Sequence, residues 1–226
     1  MTLRQTAIAA VAGAALGLPA AASAAQIQVD RPCYADPSQR QDRVTLSGSG
    51  FTPNATYQVT LDGQPLAGGT GTVDATGGIA GNFIAPALAK GSNEHVYTLG
   101  VQEGANAPTT TFIVTQLFAD FKPSKGDPKT LKVRFSLFGF SLQGQQSPPV
   151  YVHYIRPNGK LKKTYRLGTA RGACGTIHRT TKRRLFPFSA ERGRWRLQFD
   201  TAKRFRRGSS RSDFLFYTVG VDVRAQ

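Results

Sequence analysis

Basic side chains in the second half of the sequence are the groups whose type and spacing best suit a chemical task. An arginine guanidinium binds a phosphate or carboxylate through two parallel hydrogen bonds, and a lysine ammonium adds a point charge. Several of these residues alternate with apolar residues, as the outward positions of a β-strand do. The residues that we predict to contact an anionic polymer are Lys132, Arg134, Lys160, Lys162, Arg166, Arg183, Arg184, Arg194 and Arg196.

If the strands that carry these residues share a sheet, their cations form one broad face. Such a face attracts an anionic polymer by releasing counterions, with strong salt dependence and little reading of sequence. Partners that fit this chemistry outside a cell are an anionic wall polymer of the teichoic type, lipid headgroups or an acidic polysaccharide. Nucleic acid is less favoured, because Phe205 alone supplies an aromatic ring inside a basic run. The competing interpretation is a solvated face that blocks edge pairing and keeps the protein soluble.

The charge is divided unevenly along the chain. The whole sequence carries a formal net charge of +16, yet residues 26–116 hold four basic and seven acidic side chains, and residues 117–226 hold 24 basic and six acidic ones. An asymmetry of this size is the usual mark of an anionic partner. A genome whose base composition favours arginine codons would also enrich arginine, and the sequence alone leaves both explanations open.

Patterns that would indicate catalysis or metal binding are not found in the sequence. Its three histidines, His95, His153 and His178, do not have the spacing of a zinc site, and its two cysteines lie in different halves. The sequence has no nucleophile elbow, no Walker loop and no dinucleotide-binding glycine motif. The few carboxylates of the second half lie mostly near predicted turns, which does not favour a glycosidase pair. We therefore predict a protein that is not an enzyme and needs no cofactor or metal, in which His153 is a packing or surface residue.

The first 25 residues have the features of a signal peptide. Arg4 supplies a positive start, Ala7–Ala22 is apolar and rich in small residues, and Ala22-Ser23-Ala24 supplies a cleavage site. The competing interpretation is a membrane anchor, but the apolar run is short for a full span. We expect an exported protein that is secreted or associated with the cell envelope, with no transmembrane span in the mature chain.

The two cysteines, Cys33 and Cys174, are an even number in a chain predicted to be exported, which permits a disulfide. A bond between them would close a loop of about 140 residues, worth roughly 5 kcal/mol in the chain-entropy treatment. Two separately buried thiols and an intermolecular bond are the alternatives, and the sequence leaves them open.

The elements that must position these side chains are short β-strands. Gly, Pro and Thr recur between stretches in which Val, Tyr and Phe alternate with polar residues, and helix signals are scarce. The pattern predicts an all-β chain of two tandem β-sandwich domains, residues 26–116 and residues 117–226, after the signal peptide. Ala119–Asp127 has the proline, glycine and charge of a linker or first loop. Val150–Leu167 is predicted to be a hairpin with Asn158-Gly159 in its turn and Leu161 on its apolar face.

Part of the first half carries a more specific pattern. The run from Val44 to Asn54 is VTLSGSGFTPN, Tyr57 to Leu66 is YQVTLDGQPL, and Val73 to Gly78 is VDATGG. These stretches resemble the bacterial immunoglobulin-like modules of secreted proteins, which open with V-x-G-x-G-F-x-P and continue with V-x-L-D-G-x-x-L and a D-x-x-G hairpin. The resemblance covers residues 26–116 and implies an immunoglobulin-like sandwich that serves as a spacer, stalk or adhesion unit. It supplies no catalytic residue.

Together these patterns predict an exported, non-catalytic protein in which an immunoglobulin-like spacer precedes a basic module that binds an anionic envelope polymer. The alternative is a purely structural or adhesive extracellular protein whose positive charge has no ligand. Both interpretations share the fold, and they differ in whether the basic side chains form an organised surface.

Overall fold

All elements of the described chain are β-strands. The computed structural model describes residues 24–207 and 215–224, and these ranges contain fifteen β-strands and no α-helix. The prediction of an all-β chain is confirmed. The predicted signal peptide falls almost wholly on residues 1–23, which lie outside the described residues. Within the described ranges, no helix has the length and apolar character needed to cross a membrane.

The first half forms a β-sandwich of two sheets. Its strands are β1 (Gln26–Val29), β2 (Cys33–Ala35), β3 (Arg43–Ser49), β4 (Thr56–Leu61), β5 (Gln64–Thr72), β6 (Ile79–Ile84), β7 (Glu94–Gln102) and β8 (Thr109–Thr115). One sheet has the order β1-β3-β6, and the other has the order β2-β8-β7-β4-β5, in which β2 runs parallel to β8. The apolar faces of the two sheets enclose a core that includes Tyr34, Val44, Leu99, Phe112 and Val114, each at most 1% exposed.

Two turns of the first sandwich show why the chain reverses where it does. Asp62 and Gly63, between β4 and β5, have positive φ angles of 47° and 78°, as a tight two-residue hairpin turn requires. In the turn before β6, the Asp74 carboxylate accepts hydrogen bonds from the backbone N–H groups of Thr76 and Gly78, at 2.7 and 2.8 Å. These bonds fix the chain direction, so that the next strand enters its sheet in register.

The second half forms another β-sandwich. Its strands are β9 (Phe118–Lys122), β10 (Lys132–Phe138), β11 (Pro149–Ile155), β12 (Leu161–Thr169), β13 (Arg183–Arg184), β14 (Gly193–Asp200) and β15 (Phe216–Val223). One sheet has the order β13-β10-β9, and the other has the order β12-β11-β14-β15. Every pairing in both sheets is antiparallel. The predicted β-sandwich fold class is therefore confirmed for the described chain.

Aromatic side chains join the two sheets of the second sandwich. The Phe135 side chain of β10 has no exposed surface, and its ring centroid lies 5.9 Å from that of Phe121 on β9 and 5.7 Å from that of Phe199 on β14. Trp195 of β14 is 1% exposed. The hydroxyl of Tyr154 on β11 is buried and donates a hydrogen bond to the Leu185 carbonyl at 2.8 Å. Buried apolar area and satisfied polar groups thus hold the sheets together.

The predicted linker or first loop at Ala119–Asp127 is partly wrong, because only residues 123–127 lie outside strands. Phe118–Lys122 is strand β9, because Ala119 and Phe121 are buried in the core and pair in register with β10. The proline and glycine that suggested a linker lie after the strand has ended. This difference places Lys122 on a sheet rather than in a loop.

The predicted hairpin forms, but its second strand departs from simple alternation. β11 pairs with β12, and Gly159 in the turn has a φ angle of 81°. A β-bulge makes Lys162 an extra residue between two paired positions of β12. Leu161 is consequently 41% exposed, and its predicted place on the apolar face is wrong.

A disulfide joins the two sandwiches. Cys33 on β2 and Cys174 in the segment after β12 are bonded at 2.07 Å, with their Cα atoms 5.3 Å apart. The interdomain bond, one of the alternatives that the sequence left open, is confirmed. Cys33 and Ala35 pack in the core of the second sandwich although their strand belongs to a sheet of the first. Strand β2 therefore contributes to both halves of the molecule.

Hydrogen bonds reinforce this junction. Gln39 exchanges two bonds with the backbone of Leu117: the Leu117 N–H donates to Oε1 at 2.7 Å, and Nε2 donates to the Leu117 carbonyl at 3.2 Å. The hydroxyl of Thr176 donates to a carboxylate oxygen of Glu94 at 2.8 Å. Hydrogen bonds therefore join the two halves in addition to the disulfide.

Candidate anion-binding surfaces

The predicted cations do not gather on one face. Lys132 and Arg134 lie on β10 and Arg184 lies on β13, in the three-stranded sheet, whereas Arg194 and Arg196 lie on β14 in the four-stranded sheet. The two sheets pack against each other through the core, so their outward faces point in opposite directions. The expectation of a single broad face is wrong, because β10 pairs with β9 and β13 and with no strand of the other sheet.

Four cations form two cross-strand pairs on the outer face of the three-stranded sheet. Lys132 on β10 stands opposite Arg184 on β13, and Arg134 on β10 stands opposite Lys122 on β9. All four residues are exposed. Directly opposed side chains have Cβ atoms about 5 Å apart, and like charges at such positions are destabilising. We call Lys122, Lys132, Arg134 and Arg184 the cation-pair face.

The cation-pair face takes part in no ion pair among the residues that the structure describes. Asp120, two residues before Lys122 on β9, stands opposite Ser136 and lies outside ion-pair distance of the four cations. The ion pairs among the described residues are Arg31–Asp30, Arg31–Asp42 and Arg40–Asp42, and two histidines, His95 and His153, lie 3.4 and 3.1 Å from the carboxylates of Asp62 and Asp200. The strands thus hold four like charges close together without a paired counter-charge from the described chain.

The segment between β12 and β13 runs beside β10 and extends the cation-pair face. The Phe135 N–H donates to the Thr180 hydroxyl at 2.9 Å, and the Thr180 N–H donates to the Phe135 carbonyl at 2.9 Å. These bonds fix a chain segment that carries the exposed Arg179 and Lys182. Two further cations therefore border the face.

Arg183 closes an edge of the sandwich instead of joining the cation-pair face. It stands opposite the buried Val133, and its guanidinium donates to the carbonyls of Arg166 and Leu167 on β12, at 3.2 and 3.4 Å. Its Nε atom is buried and has no hydrogen-bond partner among the described residues. We therefore leave Arg183 out of the binding surface, although the sequence placed it there.

Lys160, Lys162 and Arg166 form a third group, along the edge of the β11–β12 hairpin. The Lys162 ammonium lies 5.8 Å from the centroid of the Phe188 ring, and Arg166 donates to the Thr169 hydroxyl at 2.8 Å. All three cations are exposed. They are spread along one strand and its turn, so they do not form the cross-strand pairs that characterise the cation-pair face.

The loop after β14 builds a second basic surface, which the sequence suggested only as a run of charges. Residues 201–207, which we call the basic strap, fold back over the outer face of the four-stranded sheet. At one end the Ala202 N–H donates to the Asp200 carboxylate at 2.9 Å, and at the other Arg207 donates to the Gly159 carbonyl at 3.4 Å. The cations of the strap are Lys203, Arg204, Arg206 and Arg207.

A buried polar network fastens the basic strap to the sheet. His153 and Asp200 have no exposed surface, and His153 Nε2 lies 3.1 Å from Asp200 Oδ1. His153 Nδ1 lies 2.7 Å from the Thr164 hydroxyl, and Gln198 donates to the other oxygen of Asp200 at 2.8 Å. The Phe205 ring of the strap packs 5.5 Å from the imidazole. The polar side chains of this network have partners, as their burial requires.

The acceptors around His153 identify one ring nitrogen that carries a proton. Nε2 faces two acceptors, the Asp200 carboxylate and the Ala202 carbonyl, each at 3.1 Å, so Nε2 donates. Nδ1 faces the Thr164 hydroxyl, which can donate or accept a hydrogen bond. Asp200, His153 and Thr164 lie in the order of the acid, imidazole and hydroxyl of a catalytic triad. The imidazole has no exposed surface, so we assign this network a structural role. His153 is thus a packing residue, as one of the two sequence interpretations expected.

A cleft of about 780 Å³ opens at the junction of the two sandwiches, and Arg31 and Arg40 contribute to its polar lining. Asp42 accepts a hydrogen bond from Arg40 at 2.7 Å and lies 3.7 Å from Arg31. Burial raises the pKa of Asp42, but hydrogen bonds from Arg40 and from the Ala35 N–H outweigh it, so the pKa is lowered. A charged Asp42, together with Asp30 at 3.3 Å from Arg31, offsets the charges of the two arginines, which makes the cleft a weaker anion site. Within the described ranges, including the cleft, no group of three or more His, Cys, Asp and Glu side chains could hold a metal ion.

Comparison with known proteins identifies solved structures of weak similarity and no matching sequence family. No family model and no curated protein matches the sequence. Dimeric latent PorU from Porphyromonas gingivalis is similar with a TM-score of 0.31 and 15% identity, over 95% of this chain and 22% of that chain. Bovine butyrophilin is similar with a TM-score of 0.30 and 8% identity, over 89% of this chain and 99% of that chain. Both scores are low, so the fold assignment rests on the strands and sheets themselves.

Proposed function

We propose that this is an exported, non-catalytic protein whose cation-pair face binds an anionic polymer of the cell envelope. The observation that supports this most is the placement of Lys132 opposite Arg184, and of Arg134 opposite Lys122, on one exposed sheet face. A face that served only solubility would gain from interspersed carboxylates, because they relieve repulsion between like charges. An anion from outside the chain would relieve that repulsion here.

The spacing of the cation-pair face favours a polymer over a small anion. Lys132 and Arg134 are two positions apart on β10, so the two cation pairs are spaced about 7 Å along the strand. Each pair combines a guanidinium fork, which grips a phosphate or carboxylate through two bonds, with an ammonium point charge. A chain with repeated anionic groups can contact both pairs at once and release counterions at each.

The remaining parts of the chain fit a role outside the cell. The run from Val44 to Asn54 supports a bacterial immunoglobulin-like module that acts as a spacer, with the boundary between two domains near residue 116. The disulfide between Cys33 and Cys174 suits an oxidising compartment, which supports export by the N-terminal leader. In this arrangement the first sandwich is the spacer. It separates the basic second sandwich from any surface or partner that the first sandwich contacts.

Neutralising the cation-pair face is expected to weaken retention on a polyanion matrix. A variant with Lys122, Lys132, Arg134 and Arg184 each replaced by Gln should elute from heparin-agarose at clearly lower salt than the wild-type protein. The physical reason is the loss of up to four contacts that release counterions. The measurement is the NaCl concentration at the elution peak, repeated on phosphocellulose to compare sulfate with phosphate.

The matched control makes the same change in net charge at the hairpin edge, by replacing the three cations of the hairpin-edge group, Lys160, Lys162 and Arg166, and the neighbouring exposed Lys163 on β12 with Gln. If the position of the charge matters, this variant elutes closer to the wild-type protein than the cation-pair variant does. Identical elution of the two variants would show that net charge alone sets retention and would remove the proposed site. Elution of the wild-type protein at low salt would instead support the purely structural or adhesive alternative.

A further inference from the structure

The outer face of the four-stranded sheet presents a second group of cations. The function proposed above does not involve them. Arg194 and Arg196 stand on β14, with their side chains opposite to the buried Trp195. Lys203 and Arg204 belong to the basic strap, which crosses the same face. All four residues are exposed. We call Arg194, Arg196, Lys203 and Arg204 the strap face.

Two carboxylates of the described residues occupy outward positions of this sheet, Asp200, which is buried under the strap, and the exposed Asp222. Asp222 on β15 stands opposite Arg194. The Arg194 guanidinium instead extends over Gly220, where its Nε and Nη2 atoms lie 3.3 Å from the position that a Cβ would occupy. Arg194 and Asp222 form no ion pair within the described ranges. The missing side chain at Gly220 thus lets an arginine lie flat and exposed over the neighbouring strand.

The basic strap presents its cations from a fixed backbone. The fully buried His153 and Asp200 bind the strap at Ala202, and the Phe205 ring packs on the imidazole. Breaking such bonds would leave buried polar groups without partners, which typically costs about 1 to 3 kcal/mol for each group. Lys203 and Arg204 are therefore held beside the sheet rather than on a freely moving loop. A polyanion that binds there pays little to order the loop.

The strap face and the cation-pair face belong to opposite outer faces of one sandwich. Packed sheets lie about 10 Å apart, and the cations point outward from both. The two groups are therefore separated by more than the Debye length of about 8 Å at physiological ionic strength. An anionic chain that binds one face does not cancel the attraction of the other.

We propose that the second sandwich binds two anionic polymer chains at once, one on the cation-pair face and one on the strap face, and so cross-links them. This inference rests on the proposed function, because both faces are taken to bind the same chemical class of ligand, a polymer with repeated phosphate, sulfate or carboxylate groups. The opposed faces make the protein a non-covalent clamp between polymer strands, and not only a coat along one strand.

A two-chain capture assay tests this proposal. Heparin beads are loaded with the purified protein, washed, and exposed to fluorescently labelled heparin, and the fluorescence held on the beads is measured. Wild-type protein should hold the labelled chain. A variant with Arg194, Arg196, Lys203 and Arg204 replaced by Gln should stay on the beads through its cation-pair face, yet hold at least about tenfold less labelled heparin, because the contacts of one face are lost.

Matched variants separate the outcomes. The cation-pair variant carries the same change in charge and should also stay on the beads without holding the labelled chain, whereas the hairpin-edge variant should behave like the wild-type protein. An unchanged melting temperature shows that each variant is folded. Wild-type protein that fails to bind the beads would contradict the proposed function itself. Bead-bound wild-type protein that holds no labelled chain, or a strap-face variant that holds as much as wild type, would overturn cross-linking and leave single-chain binding intact.

Discussion

Replacing Cys33 and Cys174 together with serine is expected to lower the free energy of unfolding by as much as roughly 5 kcal/mol. The bond joins positions 141 residues apart, and a cross-link over so long a loop removes many conformations from the unfolded chain. It also anchors Cys33, whose side chain packs in the core of the second sandwich. Without the bond, non-covalent contacts such as those of Gln39 with Leu117 must hold the junction.

Urea unfolding at equilibrium measures this effect, with the double variant preferred because a single one would leave an unpaired thiol. The wild-type protein in reductant should unfold at nearly the same urea concentration as the variant without reductant, and the variant should be insensitive to reductant. Equal unfolding midpoints for the oxidised wild-type protein and the variant would show that the bond does not stabilise the fold.

Replacing Phe135 with Ala should destabilise the protein by about 3 to 5 kcal/mol, the usual cost of removing a fully buried aromatic ring. The Phe135 ring contacts Phe121 in its own sheet and Phe199 in the facing sheet, so its loss opens a cavity between the two layers. Because the backbone of Phe135 also bonds Thr180, the neighbouring segment limits how far the cavity can collapse.

Phe138 offers a matched control on the same strand. It is only half-buried and contacts His178, at 5.8 Å between ring centroids, outside the main core. Phe138→Ala should therefore cost clearly less than Phe135→Ala when both are measured by urea unfolding. A reversed order would mean that the layers of the second sandwich are not packed as described.

Period-two patterns predicted the fold class because the buried positions are strongly apolar. Val133, Phe135 and Leu137 alternate with polar residues on β10 and have no exposed surface. Turn chemistry was also readable, since Asp62-Gly63 occupies a two-residue hairpin turn. From the sequence, the disulfide was only one of several alternatives for the two cysteines. Whether they pair depends on the distance between their Cα atoms, which only the fold determines.

Strand alternation indicates which side chains point outward, but it does not indicate which sheet a strand joins. The sequence therefore predicts an outward position for Arg134 and for Arg196, yet it cannot show that they point in opposite directions. Strand β9 is hidden in the sequence because Pro123 follows it directly. Without β9, Lys122 could not be recognised as the cross-strand partner of Arg134.

The buried network beneath the basic strap is the other feature that the sequence conceals. Gln198 and Asp200 occupy outward positions of β14, where polar side chains are expected to be solvated. They are at most 3% exposed, because the chain after β14 folds back over them. Covering by a loop leaves no periodic signal in the sequence. The sequence indicates this network only by the polar Gln198 and Asp200 at outward strand positions, directly before the basic run of the strap.

If the ordered cations on the second sandwich bind an anionic polymer, that binding must weaken steeply as salt is added, because each contact releases counterions. Affinity for a heparin oligosaccharide, measured by titration calorimetry, should fall roughly 100-fold between about 50 and about 200 mM NaCl if the four cations of the cation-pair face each release counterions as contacts to duplex DNA do. An affinity that does not change across this range, or no binding at the lower salt concentration, would show that these cations do not bind an anionic polymer.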